Sequence, residues 1–203
     1  MTGFVLWALV ASGLAVVVVR RRSVVVAVVT AQALVLAVAA LYEAETADDV
    51  LAGGALATRA VILAALFAGV VARTRERAPV HARVPPLLRA GLAVVFALAL
   101  VWLIPDLGLE SRDAERAVLT LVAFGIATAG LRRATLLQIL GLVLVENGLA
   151  LAALELPGES SVAVELGVAF DLMLVSIVAV VFHQRIFGLF GAGDTAALRS
   201  LRD

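Results

Sequence analysis

Apolar residues in this chain do not alternate with polar ones at a strand or a surface-helix period; they come in long, nearly unbroken blocks. A helix crossing about 30 Å of hydrocarbon needs roughly 20 apolar residues, with a range of about 17 to 25. Seven blocks have that length: Gly3–Val19, Val24–Leu41, Leu51–Ala72, Leu87–Ile104, Ala114–Gly130, Ala134–Leu154 and Ser161–Phe182. The pattern predicts an all-α integral membrane protein with about seven transmembrane helices. Its regions are four helices over 1–113, three over 114–187 and a short tail over 188–203.

Charges between the blocks fall into two classes. Arg20, Arg21 and Arg22 follow the first block; Arg73, Arg75, Arg77, Arg83 and Arg89 surround the third connection; Arg132 and Arg133 follow the fifth block; Arg185, Arg199 and Arg202 follow the seventh. The alternate connections carry Glu43, Glu45, Asp48 and Asp49, then Asp106, Glu110, Asp113 and Glu115, then Glu155, Glu159 and Glu165, with Arg112 and Arg116 the bases among them. Basic loops stay in the cytoplasm, so this asymmetry predicts an outer N-terminus and a cytoplasmic C-terminus in a multi-pass protein of the cell membrane. The first block is followed, not preceded, by its charges, unlike a cleaved signal. In the tail, Asp194 is placed to cap a short helix with Leu198 and Leu201 on one face; a frayed polar end is the alternative.

Composition sharpens the class. Of the 203 residues, 63% are apolar and mean hydropathy is +1.10, against about 45 to 50% apolar residues in soluble domains. Sixteen acidic residues balance sixteen basic ones, which leaves no basic surplus for nucleic acid. There is no cysteine, and the two histidines, His81 and His183, lie far apart in segments that read as cytoplasmic. A cysteine-ligated iron–sulfur or zinc site is thereby excluded, and too few histidines remain for an intramembrane bis-histidine haem; no cofactor is expected on this chain. The connections are also too short to fold around a nucleotide.

Three charged residues fall deep inside blocks, away from their ends, and a charge at the bilayer centre costs on the order of 2.5 to 3.5 kcal/mol on the mildest scale. Arg59 lies in the outer half of the third, shallow enough to snorkel to the interface or to pair with another helix. Glu146 and Asp171 lie in the sixth and seventh, each in an apolar stretch with no base nearby in its own helix. Counted from the outer ends of these consecutive helices, they sit roughly 12 and 15 Å deep at 1.5 Å per residue. Two carboxyls at matching depth are hard to explain as packing and are candidates for a proton or cation relay. The alternative is that both remain protonated and only hydrogen-bond between helices. Asn147, Gln138, Thr135 and Gln32 are candidates for path lining or for interhelical hydrogen bonds. Gly125 with Ala129, and Gly141 with Gly148, are spaced for close helix approach.

The run Gly-Leu-Val-Leu-Val-Glu-Asn-Gly-Leu-Ala at 141 to 150 and Val164-Glu165-Leu166-Gly167-Val168-Ala169-Phe170-Asp171 resemble component E of membrane-bound, formate-hydrogenlyase-like (hydrogenase-4 type) hydrogenases. So do Val84-Pro85-Pro86-Leu87-Leu88-Arg89 and the end Leu198-Arg199-Ser200-Leu201-Arg202. Residues 114–187 also resemble the K subunit of complex I and the C subunit of multisubunit sodium/proton antiporters. In the complex I pattern two buried glutamates on adjacent helices belong to a hydrophilic axis. Asp171 matches the second; with Asn147 aligned to the pattern's asparagine, the first falls on Val143, one helical turn from Glu146. The resemblance implies a non-redox membrane-arm subunit of an energy-converting oxidoreductase, packed against antiporter-like subunits, with the redox centres on other chains. A stand-alone secondary transporter and a passive membrane scaffold are the rival expectations. Neither an internal repeat nor a pair of broken helices favours the transporter.

Overall fold

The computed structural model describes residues 3–74, 84–104, 106–156 and 162–190, and of residues 74, 162–172, 186, 189 and 190 the backbone only. The tail from residue 191 onward, including the expected cap at Asp194, lies outside the described residues. Seven helices are present among them: α1 (Gly3–Val18), α2 (Arg22–Glu43), α3 (Ala47–Thr74), α4 (Pro86–Leu103), α5 (Arg112–Leu131), α6 (Thr135–Leu154) and α7 (Val162–Phe190). The protein is an all-α, multi-pass membrane protein. Helices α2 to α6 are each long and apolar enough to cross a bilayer, whereas α1 and the stretch Met173–Arg185 of α7 are shorter apolar helices.

Local chemistry explains where the helices depart from the apolar blocks. Helix α3 begins four residues before its block because Thr46 and Asp49 cap it reciprocally. The Asp49 amide donates to Thr46 Oγ1 at 3.2 Å, and Asp49 Oδ2 accepts from the Thr46 and Glu45 amides at 2.9 and 3.2 Å. At 28 residues, α3 is roughly 42 Å long, well over the hydrocarbon thickness. Helix α5 opens at Ser111, whose hydroxyl accepts from the Ala114 amide at 3.1 Å. The turn before it bends at Gly108, which has a φ of 72° and donates its amide to Asp106 Oδ1 at 2.8 Å. Helix α7 continues past Phe182 to Phe190.

Helices α5 and α6 share the most extensive interface in the bundle, and glycines bring them together. A Cβ on Gly125 would lie 2.6 Å from the Val145 amide nitrogen, and one on Gly141 would lie 2.6 Å from that of Ala129. Small residues permit such backbone approach where no hydrophobic effect drives helices together. Around this pair, α1 and α4 pack on α5, α2 packs on α6, and α3 joins α2 to α7. The regions 1–113 and 114–187 are therefore interleaved.

Among the described residues, one end of the bundle carries the acidic connections together with Arg112 and Arg116, and the other carries Arg20, Arg21, Arg22, Arg73, Arg89, Arg132 and Arg133. The Glu110 amide donates to the Glu155 carbonyl at 2.9 Å, tying the α4–α5 connection to the end of α6 at the acidic end. Trp7, Tyr42 and Trp102, both tryptophans and the single tyrosine of the chain, are at least half exposed near this same end of α1, α2 and α4. Exposed amphipathic rings at one level are what a membrane–water boundary selects.

Candidate functional site

The centre of the bundle holds a polar arrangement supplied by four helices. Arg59 stands twelve residues into α3, and Glu146 stands eight residues before the end of α6. Arg59 Nη2 lies 3.2 Å from Glu146 Oε2, and the two side chains are only 7% and 1% exposed. Pairing with Glu146 thus accounts for Arg59, which stands near the middle of α3. Asn147 Oδ1 accepts from the same Nη2 at 3.4 Å, while Asn147 Nδ2 donates to the Val29 carbonyl of α2 at 3.3 Å. One turn further along α2, Gln32 Nε2 donates to Ser12 Oγ at 2.7 Å and to the Leu9 carbonyl at 2.9 Å. Polar contacts therefore run from α1 through α2 and α6 to α3.

Magnitudes show what the ion pair can and cannot do. At 3.2 Å and an effective dielectric of about 20, attraction is about 5 kcal/mol. Placing two charges at mid-bilayer costs about 5 to 7 kcal/mol on the insertion scale. Attraction roughly offsets burial, so the pair is not a net source of stability. Nor is it saturated: Glu146 Oε1 and Arg59 Nε are buried with no hydrogen-bond partner. A carboxyl with a vacant lone pair, facing a guanidinium that a neighbouring amide also holds, is a pair that can be separated by a proton.

The other residues singled out from the sequence are distributed as follows. Asp171 belongs to α7, but its side chain lies outside the described residues. Helix α7 packs chiefly on α3 and less on α6. Gln138 donates to the Arg132 carbonyl at 2.8 Å, closing the α5–α6 turn at the arginine end. Thr135 is the first residue of α6. These two lie roughly 12 and 16 Å along α6 from Glu146, so they are not brought to the pair.

Sequence reasoning passed over several buried polar groups. Arg89 and Arg132, which read as loop charges, are 1% and 6% exposed. His183, expected just beyond the last span, lies within α7 with Ser176 two turns before it on the same face, and both are fully buried. That i, i+7 spacing was the available signal.

Uncharacterized protein Rv0085 of Mycobacterium tuberculosis (strain ATCC 25618 / H37Rv) is 33% identical over 156 residues, covering 73% of this chain and 70% of the relative. The chain belongs to the family of Rv0085. No protein-family model and no solved structure matches the sequence.

Proposed function

We propose that this member of the Rv0085 family is a non-redox membrane-arm subunit of a multisubunit energy-converting oxidoreductase, in which the Arg59–Glu146 pair is a gate on a proton or sodium path. The observation that carries this reading is the buried, incompletely hydrogen-bonded ion pair at mid-bundle, with Asn147 bridging it to α2. The resemblance of residues 141–150 and 164–171 to component E and to the K subunit supplies the context: antiporter-like subunits beside it and a redox module on other chains. The arginine and acidic ends support seven crossings with the N-terminus outside and the C-terminus in the cytoplasm.

In this reading a proton arriving at Glu146 neutralises the carboxylate and removes the attraction that holds Arg59. The guanidinium remains bonded to Asn147 Oδ1, and α3 is free to shift against α6. Departure of the proton restores the pair. A transition elsewhere in the complex that favours either arrangement would load or unload this site, with Asp171 on α7 as the next carboxyl.

Pumping per electron in proteoliposomes of the whole complex tests the proposal. Glu146→Gln alone strands Arg59, so the informative variant is Arg59→Gln with Glu146→Gln, which removes both charges and keeps hydrogen-bonding side chains. Pumping should fall several-fold at unchanged subunit content, and Asp171→Asn should lower it independently. Wild-type pumping in the double variant would leave only a scaffold. Topology is tested separately, since the chain has no cysteine: a cysteine at Ser23 should be labelled from the cytoplasm and one at Thr46 from outside.

A further inference from the structure

At the arginine end the chain buries positive charge that its described residues do not cancel. Arg89, in the first turn of α4, is 1% exposed, and its Nε, Nη1 and Nη2 are all buried without a hydrogen-bond partner. Arg132, the C-cap of α5, is fixed at the same end: its Nη2 donates to the carbonyls of Val16, Val17 and Val19 at 3.1, 2.7 and 2.6 Å. Arg20 comes two residues after α1, and its charge bears on both Arg89 and Arg132, as that of Arg89 bears on Arg132. The ends of α1, α4 and α5, three mutually packed helices, thus gather three guanidinium groups.

Arg132 is compensated in part by the carbonyls that end α1, where the helix dipole is negative. Arg89 has the reverse surroundings. It sits at a helix N-terminus, opened by Pro85 and Pro86 without a side-chain cap, where free amides add partial positive charge. Among the described residues no carboxylate pairs with Arg89 or Arg132. An anion fits this place on three counts: unpaired donors, summed positive potential and the helix terminus.

Its position identifies the anion. The cluster lies where the apolar helices end, at headgroup depth, and the adjoining surface of α4 presents Leu87, Leu88, Leu92 and Val95 at 85, 54, 45 and 64% exposure. A soluble anion has no use for that apolar strip, whereas acyl chains lie naturally along it. We propose that the Arg20–Arg89–Arg132 cluster binds the phosphodiester of an anionic membrane lipid: the exposed Arg20 meets it first, and Arg89, buried in this structure, turns outward to become the principal donor, with the acyl chains along α4. The planar fork of a guanidinium matches two phosphate oxygens. A zwitterionic headgroup carries a cation that the cluster repels. This site is independent of the redox-coupled reading.

Thermal unfolding of the full chain in neutral detergent, with added phosphatidylglycerol, phosphatidylcholine or inorganic phosphate, tests it. Phosphatidylglycerol should raise the Tm by several degrees, and phosphatidylcholine and millimolar phosphate should not. Arg89→Gln should abolish the rise. Arg20→Gln, at an exposed position, should weaken it and decides the matter if Arg89→Gln does not fold. Equal stabilisation by the two lipids would overturn the proposal, as would the full effect from phosphate alone. So would a phosphatidylglycerol effect that survives both substitutions, or no effect of any addition, the result expected if a carboxylate already fills the cluster.

Discussion

Arg59 and Arg89 are the same residue type, both almost completely buried in helices of one bundle, yet they stand in opposite electrostatic situations. Arg59 lies near the middle of α3, and the chain itself brings the compensating charge, Glu146, from α6. Arg89 lies at a helix end with other arginines for company, and no residue described here answers it. The contrast follows depth. At mid-bilayer no outside counter-charge can reach a guanidinium, so the fold must supply one. At headgroup level the membrane offers phosphates, and the fold can leave a guanidinium unanswered. Burial alone therefore says little about what a membrane arginine does; the source of its counter-charge says more.

The largest effect expected from breaking this contrast is at Glu146. Glu146→Gln leaves a buried guanidinium without its partner, which typically destabilises by about 3 to 5 kcal/mol. Unfolding in neutral detergent should show the loss, and Arg59→Gln in the same chain should recover most of it. An unfolding free energy unchanged by Glu146→Gln would mean that Arg59 takes its compensation elsewhere. Next in size is Arg132→Met, which removes three hydrogen bonds from a charged donor to the end of α1. A loss of about 2 to 3 kcal/mol is expected, since charged hydrogen bonds contribute about 1.5 to 3 kcal/mol and the carbonyls of Val16 and Val17 are left buried without this donor. Increased hydrogen exchange confined to the last turn of α1 would locate the damage.

Much of the bundle is legible from the sequence because a bilayer imposes one length on every crossing. Apolar runs gave the helices to within four residues, except that α7 runs eight residues further, and the glycine spacing marked faces for close approach without saying that α5 and α6 meet each other. The partnership of Arg59 with Glu146 was not legible, because span lengths do not say which helices become neighbours. The signal that α3 starts before the apolar block at Leu51 was Thr46-Ala47-Asp48-Asp49, a capping pattern written in polar residues. Arg89 and Arg132 were concealed by the positive-inside count itself, which treats an arginine buried at a helix end and one in a loop alike. For Asp171 the sequence gives depth alone, and depth does not choose a partner.

The smallest effect, and the one that most sharpens the comparison, is expected at Arg89. Replacing an unanswered buried charge with an apolar side chain of similar reach removes a desolvation cost and breaks no hydrogen bond, so in neutral detergent Arg89→Met should be neutral or stabilise by about 1 kcal/mol. That sign is opposite to the one expected for Glu146→Gln, although both substitutions remove one charge from a buried site. The sign should also depend on the solvent. In phosphatidylglycerol the wild-type chain gains from ligand binding and the Met variant does not, so the order of stabilities reverses. Lysine at this position separates charge from shape: Arg89→Lys keeps the attraction to a headgroup but loses the bidentate fork, and should retain part of the lipid response. Unfolding of the three chains side by side, in detergent alone and with phosphatidylglycerol, measures both signs. A large loss for Arg89→Met in detergent alone would place Arg89 with Arg59, as an arginine whose counter-charge is built into the chain.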